Sequence, residues 1–382
     1  MSFIVSAAAA AALASTGTLT AVPDELSRQA AALLLVGAPG DAAVPGGPFE
    51  KLVCGLKVGG LVLFDRDTGG RARPRNIRSR SQLTRFTRDL QELARRCGAP
   101  PLLLAADVEG GVVNRLAPLA GLEDLPSAAE LGRGSPERAR AAGRRIGEAM
   151  AETGLNWDLA PVVDLALDPD SPAIGRWKRA FSDDPAVVAR QARAFAEGLY
   201  DAGVLSCLKH FPGHGSSRDD SHKGAVDVTE TARPDLELAP YRILIEADVA
   251  DCVMLGHLYN ANLDPDDIAT VSSAVITGLL REDLGFDGLV LTDDLQMGAV
   301  SASYTLEDAA VRAVGAGADM LILSNVQGSR RASPAGRVVA ALVSAVRSGR
   351  LPRRRLVEAN LRIQHFKSRL RGVDPDEPEE DP

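Results

Sequence analysis

Residues 288–294 have the sequence GLVLTDD, a short apolar run that ends in two carboxylates. Similar apolar runs recur along the chain, and amphipathic stretches typical of helices lie between many of them. Apolar strands that alternate with helices predict parallel β–α–β units, and eight such units predict a single α/β domain with a (β/α)8 TIM-type barrel. The eight runs are LLLVGA (33–38), GGLVLF (59–64), PLLLAAD (101–107), WDLAPVVDL (157–165), VLSCLKHF (204–211), DCVMLGH (251–257), GLVLTDD (288–294) and DMLILSN (319–325).

Polar side chains stand repeatedly at the carboxyl ends of these predicted strands. In a barrel of this type the carboxyl ends of all strands converge on one face, and active sites are built there. The pattern therefore predicts a polar site on that face. The residues in these positions are Asp107, Asp164, Lys209, His210, His257, Asp293 and Asn325.

The chain has 382 residues, within the range of one large barrel. We expect a catalytic domain over residues 24–370, completed by C-terminal closing helices, and an acidic, proline-rich, disordered tail over 371–382. Residues 1–23 are expected to be a flexible or signal-like extension. No Lys or Arg precedes the apolar run in residues 1–16, which favours a cytoplasmic location but leaves export open. No later run has the length of a membrane span, so no stable membrane insertion is expected.

Composition argues against a nucleic-acid partner. Aromatic residues are 4% of the chain, and 43 basic residues against 51 acidic ones give a formal net charge of −8. The four cysteines show neither a CxxC pattern nor zinc spacing, and we interpret them as small buried hydrophobic residues. We expect no metal and no cofactor, and the oligomeric state stays open.

The loop KHFPGHGSSRDDSHKG (209–224) contains three of the five histidines. A Pro-Gly turn separates His210 from His214, so they cannot share a helical face as metal ligands often do, and a purely structural loop is the other alternative. Asp220 lies two residues before His222. Its carboxylate can fix the imidazole tautomer and favour the imidazolium, which supplies a proton donor for general acid catalysis.

Two further segments place carboxylates at strand ends. Because side chains alternate along a strand, one of Asp293 and Asp294 can face a substrate while the other helps to start the next helix. The alternative is that both are helix N-caps. In ADVEGGVVNRLAP (106–118), Asp107 is suited to accept sugar hydroxyls, with Arg115 nearby. The glycines there lack the pattern of a phosphate-binding loop.

KHFPGHG followed after four residues by DSH, together with TDD ahead of Met-Gly-Ala, resembles family 3 glycoside hydrolases. It resembles in particular their β-N-acetylglucosaminidase branch of bacterial cell-wall recycling. The resemblance covers roughly residues 24–330 and implies that Asp293 is the nucleophile and that His222, assisted by Asp220, is the acid/base. The positions that it implies for substrate binding are Asp107, Arg115, Arg179, Lys209 and His210.

One segment departs from the family pattern. IGRWKRAF (174–181) carries extra residues, so Arg176 competes with Arg179 for the second arginine position.

The activity implied by the resemblance is that of a retaining exo-β-N-acetylglucosaminidase that acts on peptidoglycan-derived or related glycans through a covalent glycosyl–Asp293 intermediate. The expected partner is a small glycan. Three alternatives remain open: a β-glucosidase or broad β-hexosaminidase, a phosphorylase on the same barrel, and an inactive glycan-binding barrel.

Overall fold

The structure is a computed structural model. The described residues are 24–67, 73–221, 224–326 and 334–370. The predicted N-terminal extension, the predicted acidic tail and His222 lie outside these ranges.

Eight parallel strands form one curled sheet, and each strand falls within one of the eight apolar runs of the sequence. They are β1 (Leu34–Val36), β2 (Gly60–Val62), β3 (Leu103–Ala106), β6 (Trp157–Asp158), β7 (Leu208–Phe211), β8 (Cys252–Leu255), β9 (Leu289–Asp294) and β10 (Met320–Leu323). A short antiparallel hairpin, β4 (Val108–Gly110) and β5 (Val113–Asn114), follows β3.

The strand order β6-β3-β2-β1-β10-β9-β8-β7 makes chain neighbours into sheet neighbours. Isolated parallel bridges from Trp157 to Leu205 and from Val162 to Lys209 join the two outer strands and close the sheet. The predicted (β/α)8 barrel is thereby confirmed. The strands are almost entirely buried, which explains why they appear in the sequence as continuous apolar runs.

Helices follow most strands and cover the outside of the barrel. The helices predicted within 81–98 and 135–154 are present, and Asp24 caps the first helix by accepting a hydrogen bond from the amide of Ser27. The α-helices are α1 (Glu25–Ala32), α2 (Pro48–Glu50), α3 (Arg80–Arg96), α4 (Ala128–Gly132), α5 (Pro136–Glu152), α6 (Pro185–Asp201), α7 (Pro234–Glu237), α8 (Ala239–Glu246), α9 (Gly298–Ser301), α10 (Leu306–Ala316), α11 (Ala335–Arg347) and α12 (Arg353–Ser368). Two π-helices (Lys51–Leu56 and Ala274–Asp283) and two 3-10 turns (Gly175–Trp177 and Ala269–Val271) complete the list.

Helix α12 lies across the amino-terminal ends of the strands, opposite the predicted site. The ring of Phe366 packs edge-on against Trp157, the first residue of β6, with 4.9 Å between centroids. Lys367 donates to the carbonyl of Pro101, just before β3, at 2.6 Å. Arg362 donates to the carbonyl of Asp287, just before β9, at 3.2 Å. The predicted closing role of the C-terminal helices is confirmed.

The interpretation of the cysteines was wrong in one respect. All four are paired, as Cys54–Cys97 and Cys207–Cys252. Cys207 directly precedes β7 and Cys252 begins β8, so the two lie side by side on neighbouring strands, with Cα atoms 4.5 Å apart. Both are fully buried, as expected. The sequence does not reveal the pairing because these residues are 45 positions apart.

Among the described residues, no helix combines the length and the apolar character needed to cross a bilayer.

Candidate active site

One pocket opens among the carboxyl ends of the strands and the loops that follow them. Its walls include six of the eight predicted site residues. They are Asp107, Arg115, Arg179, Lys209, His210 and Asp293. The other two are Asp220, which is not among the lining residues, and His222, which lies outside the described residues.

A buried network of four charged side chains forms one wall. The ammonium of Lys209 lies 2.8 Å from a carboxylate oxygen of Asp107 and 2.7 Å from one of Glu109. Arg179 forms a bidentate pair with Glu109, with Nε to Oε2 at 2.8 Å and Nη2 to Oε1 at 2.7 Å. Only 3% of the Glu109 side chain is exposed. Glu109, which was not among the residues predicted from the sequence, therefore connects the two cations.

The mutual attraction within this network outweighs the cost of burying its charges. Burial raises the pKa of Glu109, but Arg179 and Lys209 more than reverse this, and the pKa lies well below its usual range. Burial lowers the pKa of Lys209, yet Asp107 and Glu109 leave it raised. Burial also lowers the pKa of Arg179, but the negative charge of Glu109 more than reverses this, and the pKa lies above its ordinary value. All three groups are therefore ionised at neutral pH.

Beneath the network, Asp158 is a buried carboxyl in a different state. One of its oxygens accepts the backbone amide of Val108 at 2.9 Å. Burial raises its pKa well above the usual value, with the neighbouring Asp107 and Glu109 carboxylates acting in the same direction. Burial and the two neighbouring carboxylates therefore both favour the protonated form of Asp158.

His210 is oriented by Asp164. Its Nδ1 lies 2.7 Å from Oδ2 of Asp164, and Nε2 lies 3.5 Å from Arg179. Asp164 also accepts the backbone amides of His210 and His214, so it fixes the path of the chain as well as the ring. The Lys209–His210 peptide bond is cis. Burial raises the pKa of Asp164, but the adjacent His210 and the hydrogen bond from the backbone amide of His214 bring it below its ordinary value. His210 lines the pocket, so its imidazole lies there beside the carboxylate of Asp164.

The neighbouring aspartates of β9 have different surroundings. Asp293 is partly exposed and lines the pocket, and the backbone amide of Asp294 donates to its Oδ1 at 2.7 Å. Asp294 is buried and accepts the hydroxyl and the amide of Ser324 at the end of β10. Burial raises the pKa of Asp294 to about 6. Met297 occupies the N-cap position of the next helix, so neither aspartate caps it.

The histidine loop borders the same pocket. His214 lies 2.5 Å from Ser217 through Nδ1 and 3.4 Å from Ser221 through Nε2. Ser221, which directly precedes His222 in the sequence, lines the pocket, and its carbonyl accepts the amide of Ala299 at 3.1 Å. Asp220 is partly exposed. Burial lowers the pKa of His214 to about 4, so this ring is neutral at neutral pH and serves to hold the loop.

Glu237 holds the beginning of this loop in place through hydrogen bonds. It is buried and accepts hydrogen bonds from the amide and the hydroxyl of Ser216, at 3.2 and 3.1 Å, and from the amide of Arg233 at 2.7 Å. Gly213 has a φ of +135° and lies so close to Glu237 that a Cβ would come within 2.7 Å of its side chain. Glu237 could not be predicted from the sequence, because nothing near residue 237 marks it as a partner of residue 216.

The structure separates the two competing arginines. Arg179 lines the pocket and is held by Glu109, whereas Arg176 is exposed to solvent on the 3-10 turn. Arg115 lies 3.3 Å from Asp65, with its guanidinium 5.6 Å from the centre of the Phe64 ring. The arrangement thus offers several fixed donors around a partly exposed carboxylate, Asp293. In the described part of the chain, no group of three His, Cys, Asp or Glu side chains could hold a metal ion.

Comparison with known proteins identifies the family of the chain. The model of the glycosyl hydrolase family 3 N-terminal domain matches residues 44–366. The chain belongs to glycoside hydrolase family 3. It is 39% identical over 302 residues to β-hexosaminidase LpqI of Mycobacterium tuberculosis. The aligned region covers 76% of this chain and 74% of LpqI.

Solved structures of family 3 members are also similar. One is a family 3 β-N-acetylglucosaminidase from Paenibacillus sp. FPU-7, with a TM-score of 0.81, 35% identity and 90% of this chain covered. This chain spans 62% of the Paenibacillus chain, less than two thirds of its length. Another is a β-N-acetylhexosaminidase from Beutenbergia cavernae, with a TM-score of 0.78 and 29% identity over 90% of this chain and 98% of that one. The fold and the family predicted from the sequence are confirmed.

Proposed function

We propose that this family 3 glycoside hydrolase is a retaining exo-β-N-acetylglucosaminidase with Asp293 as its nucleophile. The observation that carries the proposal is that Asp293 is a partly exposed carboxylate in a pocket whose wall is the buried Asp107–Lys209–Glu109–Arg179 network. Fixed charged donors and acceptors suit the hydroxyl groups of one terminal sugar. The β-hexosaminidase and β-N-acetylglucosaminidase relatives support the choice of N-acetylglucosamine.

The proposed reaction has two steps. A carboxylate oxygen of Asp293 attacks the anomeric carbon as the bond from that carbon to the leaving oxygen breaks, and His222 donates a proton to this oxygen. Water then attacks the anomeric carbon of the glycosyl–enzyme, gives its proton to His222 and releases Asp293. Asp220 is proposed to orient His222 and to favour its imidazolium form. Ser221 supports this assignment, since it lies between these two residues in the sequence and lines the pocket.

Covalent trapping tests the nucleophile directly. A slow 5-fluoro N-acetylglucosaminyl fluoride should accumulate the glycosyl–enzyme, and peptide mass spectrometry should find the sugar on Asp293 rather than on Asp294. The Asp293→Ala variant should lose turnover of 4-methylumbelliferyl N-acetylglucosaminide while its circular dichroism stays that of the wild type. The Asp283→Ala variant, altered at an exposed position, is the matched control and should keep its activity. Label on Asp294, or an active Asp293→Ala variant, would overturn the assignment.

The natural substrate is proposed to be a peptidoglycan-derived glycan, and this part rests on the similarity to the cell-wall-recycling branch of the family. It predicts a higher kcat/KM for N-acetylglucosaminyl-anhydromuramic acid than for diacetylchitobiose. Free N-acetylglucosamine should form at a rate independent of phosphate. Formation of the sugar phosphate would show a phosphorylase instead, and faster cleavage of an aryl β-glucoside would contradict the proposed specificity.

A further inference from the structure

Trp177 is a large apolar side chain left exposed on a loop whose two ends line the pocket. It is 48% exposed, whereas the other tryptophan, Trp157, is completely buried. Trp177 ends the 3-10 turn in the loop that follows β6, and this loop connects two residues that line the pocket, Ala173 and Arg179. Tryptophan is enriched at binding surfaces, because its ring offers a large apolar area together with one polar edge.

The loop holds the indole in a fixed position. Its Nε1 donates to the carbonyl of Pro172 at 2.8 Å, so the polar edge of the ring is already satisfied. The guanidinium of Arg179 donates to the carbonyl of Ala173 at 2.9 Å, which ties the loop to the pocket wall. A ring that is held in this way loses little conformational freedom when a ligand stacks on it.

A second exposed apolar side chain lies on another loop that borders the pocket. Val112, 61% exposed, is in the turn of the β4–β5 hairpin and directly precedes the pocket residue Val113. This turn and the Trp177 loop both bind the segment 125–129. The amide of Gly111 donates to the carbonyl of Leu125 at 3.0 Å, and the amide of Ala129 donates to the carbonyl of Lys178 at 3.2 Å. The two apolar side chains therefore lie on adjacent loops at the pocket rim.

We propose that Trp177, together with Val112 on the neighbouring loop, forms the subsite for the leaving sugar. The apolar C–H face of the pyranose ring stacks on the indole, while its equatorial hydroxyls stay in water. The inference rests on the proposed function, because this ring is the one attached to the bond that Asp293 would cleave. It makes Trp177 a specificity residue that acts in the first chemical step, since water occupies this position in the second.

The test compares two substrates in the full chain. Diacetylchitobiose has a sugar ring as its leaving group, and β-N-acetylglucosaminyl fluoride has none. The ratio of kcat/KM for chitobiose to kcat/KM for the fluoride should fall about twofold to tenfold in Trp177→Ala. This is the change in rate that the loss of one aromatic stacking contact produces. Trp177→Phe, which retains an aromatic face, should recover most of the ratio. Leu361→Ala, altered at an exposed apolar position of α12 on the opposite end of the barrel, should keep the wild-type ratio.

The outcomes separate this proposal from the proposed function. If the wild type cleaves both substrates and the ratio is the same in Trp177→Ala, the subsite assignment is wrong and the nucleophile assignment stands. If the wild type cleaves neither substrate, the proposed function fails and the subsite fails with it.

Discussion

Replacing Glu109 with Gln tests the charged wall of the pocket most directly. The amide has nearly the volume of the carboxylate but no negative charge to face Arg179 and Lys209. Its carbonyl oxygen can take the place of Oε1, which lies 2.7 Å from both cations. Its NH2 group then points at the Nε–H of Arg179, where Oε2 now accepts at 2.8 Å. Two donors therefore oppose each other in a buried site.

The magnitude follows from these contacts. Losing one hydrogen bond to a charged group costs about 1.5–3 kcal/mol, and removing one partner of a buried ion pair costs about 3–5 kcal/mol. Because the Gln variant retains part of the contact, we expect its free energy of unfolding to fall by about 2–4 kcal/mol. If the transition state loses even the lower amount, kcat/KM falls about 30-fold.

Urea unfolding followed by circular dichroism, together with kcat/KM for 4-methylumbelliferyl N-acetylglucosaminide, measures both effects. Glu282→Gln, at an exposed position, is the matched control and should stay within about 0.5 kcal/mol of the wild type. An unchanged unfolding midpoint and kcat/KM in Glu109→Gln would refute the role given to this carboxylate.

Three further predictions concern other parts of the molecule. Arg179→Ala should lower kcat/KM at least about tenfold, because it leaves Glu109 without its bidentate partner. Arg176→Ala, at an exposed position, should change kcat/KM less than about twofold. Equal effects of the two substitutions would contradict the arginine assignment. Burial raises the pKa of Asp294 to about 6 from an ordinary 3.8, so the folded state favours the protonated carboxyl. The free energy of unfolding should therefore fall by up to about 3 kcal/mol between about pH 4 and pH 7, and urea titrations should show a smaller loss in Asp294→Asn; equal losses would exclude Asp294 as the cause. Replacing both cysteines of the Cys54–Cys97 pair with Ser should lower the free energy of unfolding by about 2–4 kcal/mol without loss of activity at 25 °C, and an unchanged urea midpoint would show that the pair does not stabilise the fold.

The barrel could be predicted because a strand covered on both faces must be apolar along its length. β9 shows this clearly, since its apolar Leu289–Leu291 segment is buried and its polar residues, Thr292–Asp294, form the carboxyl end of the strand. Once the barrel is known, its topology brings the strand ends together. This is why Asp107, Lys209 and Asp293 could be expected on one face from the sequence.

The partners of these residues could not be predicted in the same way. Glu109 is one of 51 acidic residues, and its contact with Arg179 joins positions that are 70 residues apart. Its only signal is its position two residues after Asp107, directly before two glycines. Asp164 was recognised as a strand-end residue, but its role in orienting His210 depends on a contact between neighbouring strands. The sequence locates such residues and leaves their partners undetermined.

The position of α12 determines when the barrel can be completed during synthesis of the chain. Residues 362–367 of α12 contact Trp157, Pro101 and Asp287 at the amino-terminal ends of the strands. The ribosome synthesises this segment only after all eight strands of the sheet. The amino-terminal end of the nascent barrel therefore stays uncovered until α12 emerges. We expect the chain to remain sensitive to proteases and dependent on chaperones up to that moment, and to become resistant in one step as α12 docks.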